Sequence, residues 1–330
     1  MIRRISLLAA LLPASLAAQI TTVKPPVQRP QLTALVVRDP SMYVFDRYKM
    51  NGQDFLMHYM DDFQGAAHSS EAFTGGIQGM GSDRLGNVYA AVYVGPSQPT
   101  YVMGMRKPIR FTGPLKRAMD VATDTQGRIY IVDADLGQVI RIDDLSGTNM
   151  VTFGSFGSGV GQLKYPSSIA VDRSGHIYVL DAGNRRIVRI DDMNGEGWRT
   201  YDGMAYGGMG LQVEGASSIA VDSKGRLYYA KPANEVVVRV DDISGANIVR
   251  YGGAAGPAGS GYLLVHPEDV AIDSNDRIYI TDPQAGWIVR ISDMTGAGRA
   301  LLKNDASGEM WKRPSLIAVF NPRADRTIIR

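Results

Sequence analysis

The chain has 330 residues, of which 45% are hydrophobic and 21% charged; it carries a formal net charge of +2 and no cysteine. That composition is ordinary for a globular protein and excludes disulfides and thiol chemistry. With no Lys/Arg run and so little net charge, nucleic acid is disfavoured as a partner.

Met1 to Ala17 reads as a secretory signal peptide: Arg3-Arg4, an apolar run from Ile5 to Leu12, Pro13, then Ser15-Leu16-Ala17 as small-x-small before the cut. The apolar run is too short to span a bilayer, so export to the periplasm or medium of a bacterium is expected, with no integral membrane segment. Cleavage removes Arg3 and Arg4, lowering the 35 basic residues to 33 against 33 acidic ones. Residues 18–40 are rich in proline and read as an extended linker, in which Leu32 to Val37 suits an extra edge strand.

From residue 41 onward the chain repeats one pattern. Its clearest copy runs from Ser167 to Tyr201. There Ile169 to Val171 is followed by Asp172-Arg173-Ser174-Gly175, a type I turn signature with Asp at the first position and Gly at the fourth. Ile177 to Leu180 is apolar on both strand faces and must be covered on both. Ile187 to Ile190, the second turn Asp192-Met193-Asn194-Gly195, and Trp198 to Tyr201 complete a four-stranded meander. The first turn recurs at Asp83, Asp124, Asp222 and Asp273. Each copy leads to an apolar-Tyr pair, and Tyr89, Tyr130, Tyr178, Tyr228 and Tyr279 stand 41, 48, 50 and 51 residues apart.

A four-stranded unit with a period of about 40 to 50 residues predicts propeller blades, because one sheet cannot bury its own two faces. First-and-second-strand hairpins are expected at 77–91, 119–132, 168–180, 218–230, 269–281 and 316–329. Third-and-fourth-strand hairpins are expected at 43–59, 100–111, 138–153, 186–201, 236–251 and 287–302, with Met60 to Gly76 as a connecting loop. The predicted fold is therefore all-β: a six-bladed β-propeller of four-stranded antiparallel blades over residues 41–330. The N-terminal strands complete the last blade and remove the open sheet edges.

The segment 166–191, PSSIAVDRSGHIYVLDAGNRRIVRID, resembles an NHL repeat. It has the Pro before the first strand, Ala-Val-Asp, Gly before Ile-Tyr-Val, the second aspartate Asp181, and Asn184 with Arg186-Ile187. The resemblance covers about 77–330. Asp133 and Asp282 match Asp181, whereas Lys231 and Val92 depart from it, as Phe320 departs from the first aspartate. The resemblance implies a six-bladed propeller and leaves activity open, because one fold hosts binding modules, lyases and hydrolases.

Loops leading into the first strand and loops between the second and third strands share one face, where ligands usually sit. Around that face the repeat alignment places Gln78, Ser167, Ser217 and Glu268 just before the first strand. Asp120 and Asp269 come one position later, and Arg117, His266 and Arg313 lie further out. These nine residues are the candidate ligand-binding set, since the residues at these positions vary from blade to blade and the scaffold does not dictate them. A solvated polar mouth with buried water is the plainer reading.

An amidating lyase of the family holds zinc with histidines just after the Pro of several blades; here that column has no His. The streptogramin-lyase type favours Trp in the second strand, where this chain has Tyr. Glu268 and Asp269 beside His266 suggest calcium or an acid-base pair, but adjacent strand residues point to opposite faces. No cofactor or metal is implied. The expected function is a monomeric module that binds a protein, peptide or glycan. The alternative is a hydrolase or lyase with a metal or acid-base site in the funnel, using Asp120, Glu268, Asp269 and His266.

Overall fold

The computed structural model describes residues 41–46, 55–60, 69–73, 76–95, 100–105, 109–204, 211–253, 264–303 and 314–320. Residues 1–40, expected to hold a signal peptide and a linker, lie outside the described residues. Among the described residues the chain forms six four-stranded antiparallel sheets and one short two-stranded parallel pair.

Blade I comprises Gly76–Ser82, Val88–Tyr93, Tyr101–Gly104 and Arg110–Phe111. Blade II comprises Ala118–Thr123, Ile129–Asp133, Gln138–Ile142 and Val151–Phe153. Blade III runs through Ser168–Val171, Ile177–Asp181, Arg186–Ile190 and Arg199–Tyr201. Blade IV runs through Ser218–Val221, Leu227–Lys231, Val236–Val240 and Val249–Gly252. Blade V has Asp269–Ile272, Ile278–Asp282, Trp287–Ile291 and Ala300–Leu302. In blade VI the order is Pro314–Phe320, Ser41–Asp46, Phe55–Met60 and Ser69–Phe73. The first strands of successive blades pack against one another, and that of blade VI packs against that of blade I, so they ring a central axis.

The first turn of each repeat forms for the reason its residues suggest. In blade III the Gly175 N–H donates to the Asp172 carbonyl at 3.1 Å, with Gly175 at φ 90°. In blade V the fourth turn position is Asp276 at φ 61°, a left-handed conformation that Asp tolerates better than most residues.

Second strands are buried along their whole length in blades II to V. Their alternate residues enter different cores. Tyr178 and Leu180 join Val238 and Ile219 between blades III and IV, while Ile177 and Val179 join Tyr130 and Val132 between blades II and III. Six such cores fill the six seams. Each large aliphatic side chain buried there contributes roughly 1.5 to 3 kcal/mol.

Blade VI departs from the expected arrangement. The N-terminal hairpin takes the second and third positions instead of the third and fourth: Val44 stands opposite Ile317 on one side and His58 on the other. The fourth position belongs to Ser69–Phe73, inside the stretch expected to be a loop, with Met57 opposite Glu71. From the C-terminal segment only Pro314–Phe320 is a described strand; the expected second strand, at 321–329, lies outside the described residues. The missing first-turn Asp, replaced by Phe320, is the sequence counterpart of this break in the pattern.

Candidate functional site

Lead-in loops and the loops between second and third strands meet at one end of the ring because a buried residue ties them together. Asp133 accepts the N–H groups of Lys116 (2.7 Å) and Arg117 (2.9 Å) from the lead-in loop, and those of Asp135 and Leu136 from its own loop. Asp282 does the same with Val265, His266 and Ala285. Asp181 takes the Lys164 N–H at 2.6 Å together with the Asn184 and Arg186 side chains. Blade IV inverts the polarity: the Lys231 Nζ donates to the Gln212 carbonyl at 2.5 Å. Burial lowers the Lys231 pKa from its ordinary value, against the raising effect of Glu214.

The candidate residues fall into three groups. Asp120 and Asp269 belong to a belt around the axis. The Asp120 Oδ2 accepts from Ser168 Oγ (2.8 Å) and Ile169 N (3.0 Å) of the next blade, and its Oδ1 from Val121 N. Ser168 Oγ in turn accepts from Ile219 N. Ser218 Oγ donates to Asp269 Oδ1 at 2.5 Å, and Asp269 Oδ2 accepts from Ile317 N at 3.0 Å. Blade I has Gly79 at this level, where a Cβ would stand 2.7 Å from the Asp120 Cα.

Asp120 and Asp269 sit three blades apart in a ring of six, on opposite sides of the axis, and their donors are hydroxyls and backbone N–H groups, all neutral. Desolvation pushes the Asp120 carboxyl up to about 7, and the charge of Asp269 adds to it. Asp269 is pushed up to about 6 for the same first reason, with Glu268 adding.

The second group is held by the backbone. Gln78 Nε2 turns back to the Gly76 carbonyl at 3.1 Å. Ser167 and Ser217 donate their N–H groups to Leu180 and Ala230. Ser217 Oγ reaches the Glu268 carbonyl at 2.6 Å, whereas Ser167 Oγ is buried without a hydrogen-bond partner. His266 and Glu268 lie in the lead-in loop of blade V. Arg313 lies outside the described residues. Among the described residues no three His, Asp or Glu side chains gather as a metal site requires.

Arg117 belongs to a third place, the rim between blades II and III. It pairs with Asp135 at 2.8 Å, and its guanidinium carbon lies 5.9 Å from the Tyr165 ring centre. Tyr165 meets Phe156 edge to face, with ring centres 5.0 Å apart at 77°. Both rings are about half exposed, at 48% and 45%, and Val160 in the same loop is 80% exposed. Tyr165 holds φ 47°, an uncommon conformation for an aromatic residue. A short parallel pairing of Ser155–Phe156 with Gln162–Leu163 shapes the loop, which lies so close to blade II that a Cβ on Gly137 would stand 2.7 Å from the Phe156 Cα.

The candidate set named from the sequence omits Phe156, Val160 and Tyr165. The signal for Phe156 and Val160 was two apolar residues in a Gly/Ser loop between blades, outside the repeating strands.

An NHL repeat family model matches residues 163–190, and a model for the N-terminal region of strictosidine synthase-like proteins matches residues 264–291. No match was found among curated proteins. Several solved structures share the fold. One from a nidogen/laminin complex has a TM-score of 0.59 at 14% identity, covering 86% of this chain and 99% of that one. A Bacteroides caccae protein of unknown function has a TM-score of 0.57 at 13% identity, covering 85% and 99%. Virginiamycin B lyase from Staphylococcus aureus has a TM-score of 0.50 at 18% identity, covering 74% and 73%. At these identities the likeness is one of fold. The chain is a six-bladed β-propeller that carries an NHL repeat.

Proposed function

We propose that the protein is an exported binding module whose lead-in face captures an acidic segment of a partner protein on the rim formed by Arg117, Phe156, Val160 and Tyr165. One observation carries the reading: an aromatic pair stands out into solvent beside a guanidinium, on a loop whose core contact is made by Leu163 instead. Tyr and Arg are the residue types that dominate protein interfaces, and an aliphatic side chain as exposed as Val160 favours a protein segment over a glycan. Exposed Lys116 and Lys164 adjoin Arg117 and Tyr165 in sequence, which supports an acidic character for the segment. The propeller fold found in a nidogen/laminin complex is consistent with this use.

Selection of a phage-displayed peptide library on the purified protein tests the proposal. Enriched peptides are expected to be acidic with an apolar anchor, and to lose at least about ten-fold in affinity to a Phe156→Ala/Tyr165→Ala variant, the equivalent of about 1.4 kcal/mol. Enriched peptides that bind this variant equally well overturn it, as does a selection that enriches nothing.

The alternative, acid-base chemistry at the axis, draws support from the raised Asp120 carboxyl, which keeps a proton near neutral pH. Its test is hydrolysis or elimination of an ester-bearing substrate panel, abolished by Asp120→Asn.

A further inference from the structure

At the opposite end of the axis, where the first turns of the repeats gather, lies an open cavity of about 490 Å3. That volume lies within the range of small-molecule sites. Its walls come from the last residues of the innermost strands and the turn residues that follow. At one such position blades III to VI contribute Val171, Val221, Ile272 and Val319, an aliphatic floor. Blades I and II contribute Ser82 and Thr123 at the same position, so the floor is polar on that side. Ser82 Oγ donates to the Val319 carbonyl and Thr123 Oγ1 to the Ser82 carbonyl, which leaves both hydroxyl oxygens able to accept.

Above this floor stand two exposed guanidiniums, those of Arg84 and Arg173. Both occupy the second turn position, which the Asp-x-x-Gly turn leaves free to vary. Thr125, Ser223 and Ser274 hold it elsewhere, so the turn does not require an arginine there. Among the described residues neither guanidinium is in an ion pair. Arg173 extends from blade III to the Ser274 carbonyl of blade V at 3.4 Å.

Three of the aspartates that also line the cavity are neutralised by arginines on their own turns, and the other two are hydrogen-bonded within theirs. Arg128, Arg226 and Arg277 pair with Asp124, Asp222 and Asp273 at 2.5, 2.5 and 2.7 Å. His176 lies 2.7 Å from Asp172, and Asn87 donates to Asp83. Asp276 on the blade V turn accepts from the Ser223 N–H and hydroxyl. Arg84 and Arg173 are the exposed cations at the mouth, and the charge of Arg173 also lowers the Asp276 pKa.

We infer that this cavity is a second binding site, for a small organic carboxylate with an apolar body. The carboxylate sits between Arg84 and Arg173, and the body lies on the Val171–Ile272 side of the floor. A guanidinium binds a carboxylate through two parallel hydrogen bonds, and an aliphatic floor favours a hydrocarbon body through its burial.

The test uses the full mature chain and ligand-observed NMR with a graded series of aryl and alkyl carboxylates, from benzoate to naphthoate and phenylbutyrate. The matching neutral amides and inorganic phosphate serve as comparison probes. Saturable binding is expected that strengthens with body size for at least one series, with amides and phosphate at least about ten-fold weaker. Arg84→Gln/Arg173→Gln should weaken the carboxylate by about ten-fold or more, with thermal unfolding unchanged because both side chains are exposed. Phe156→Ala/Tyr165→Ala, on the other face, should leave it unaltered, which separates this site from the lead-in rim. Failure of every carboxylate to saturate overturns the inference. Equal binding of amide and carboxylate, or undiminished binding by the double arginine variant, overturns it as well.

Discussion

Five aspartates close the innermost strands, and the structure explains both their recurrence and that of the tyrosines six residues later. In blade IV, Asp222 Oδ1 accepts the N–H groups of Lys224 and Arg226, while Oδ2 accepts from Arg226 Nε and from Tyr228 Oη at 3.0 Å. Asp124 and Tyr130, and Asp273 and Tyr279, repeat this pattern. Each tyrosine is thus a donor held inside the sheet: burial, then the adjoining carboxylate charge, pushes Tyr130 up to about 12.

Asp120 and Asp269 are a different case, because their donors are neutral and desolvation dominates. Their folded-state pKa values, about 7 and about 6, exceed that of an unfolded Asp. The folded chain therefore binds these protons more tightly than the unfolded one. Their contribution to stability is fully present below the unfolded pKa and is lost as pH rises through about 6 to about 7. Urea unfolding from about pH 3.5 to about pH 8, chosen to bracket about 4 to about 7, should show wild type losing stability over that window relative to Asp120→Asn, whose side chain does not titrate. Parallel pH profiles for the two proteins would show that Asp120 carries no raised pKa.

At the scale of strands and loops, one device recurs with a change of sign. Asp133, Asp181 and Asp282 end the second strands of their blades and accept N–H groups from the lead-in loop. Blade IV presents a carbonyl, that of Gln212, and meets it with Lys231. Lys231→Asp restores the residue found in the other three blades, yet it should destabilise the protein by about 3 kcal/mol or more, since a buried carboxylate would face a carbonyl and leave it unpaired. Guanidinium unfolding measures this, and a Lys231→Asp protein as stable as wild type would refute the polarity argument.

The blade repeat was legible in the sequence because Asp-x-x-Gly turns and doubly apolar strands express local backbone chemistry and two-faced burial, which recur wherever the unit recurs. The lead-in rim was legible only in part. Arg117 emerged by register, but Phe156 and Tyr165 were not among the candidates, and Phe156 sits in a Gly/Ser loop with no period to mark it. The Asp120 and Asp269 carboxylates were placed at the right level, but their engagement by the next blade depends on side-chain direction across a seam, which spacing alone does not carry.

At the scale of the whole molecule, every seam has a side-chain hydrogen bond between innermost strands. Asp120, Ser168, Ser218 and Asp269 serve the four seams from blade II to blade VI. At the other end, Thr123 Oγ1 bonds the Ser82 carbonyl between blades II and I, and Ser82 Oγ bonds the Val319 carbonyl between blades I and VI. The last of these lies where the two ends of the chain meet. Blade VI takes its innermost strand from Pro314–Phe320 and its other three from the N-terminal side, so two truncations should have opposite outcomes. Ending the chain after Phe320 leaves all four strands, because Ser41–Asp46 already fills the second position, and unfolding should stay cooperative with little loss of stability. Ending it before Pro314 removes the strand that Asp269 and Ser82 both hold. That truncation exposes an unpaired edge on Ser41–Asp46 along with the apolar flanks of blades V and I, and should yield insoluble protein. Soluble yield and calorimetric unfolding of the two truncations decide the matter. If the chain ending at Phe320 fails as the shorter one does, then residues 321–330 supply a strand, and the arrangement of one C-terminal with three N-terminal strands is wrong.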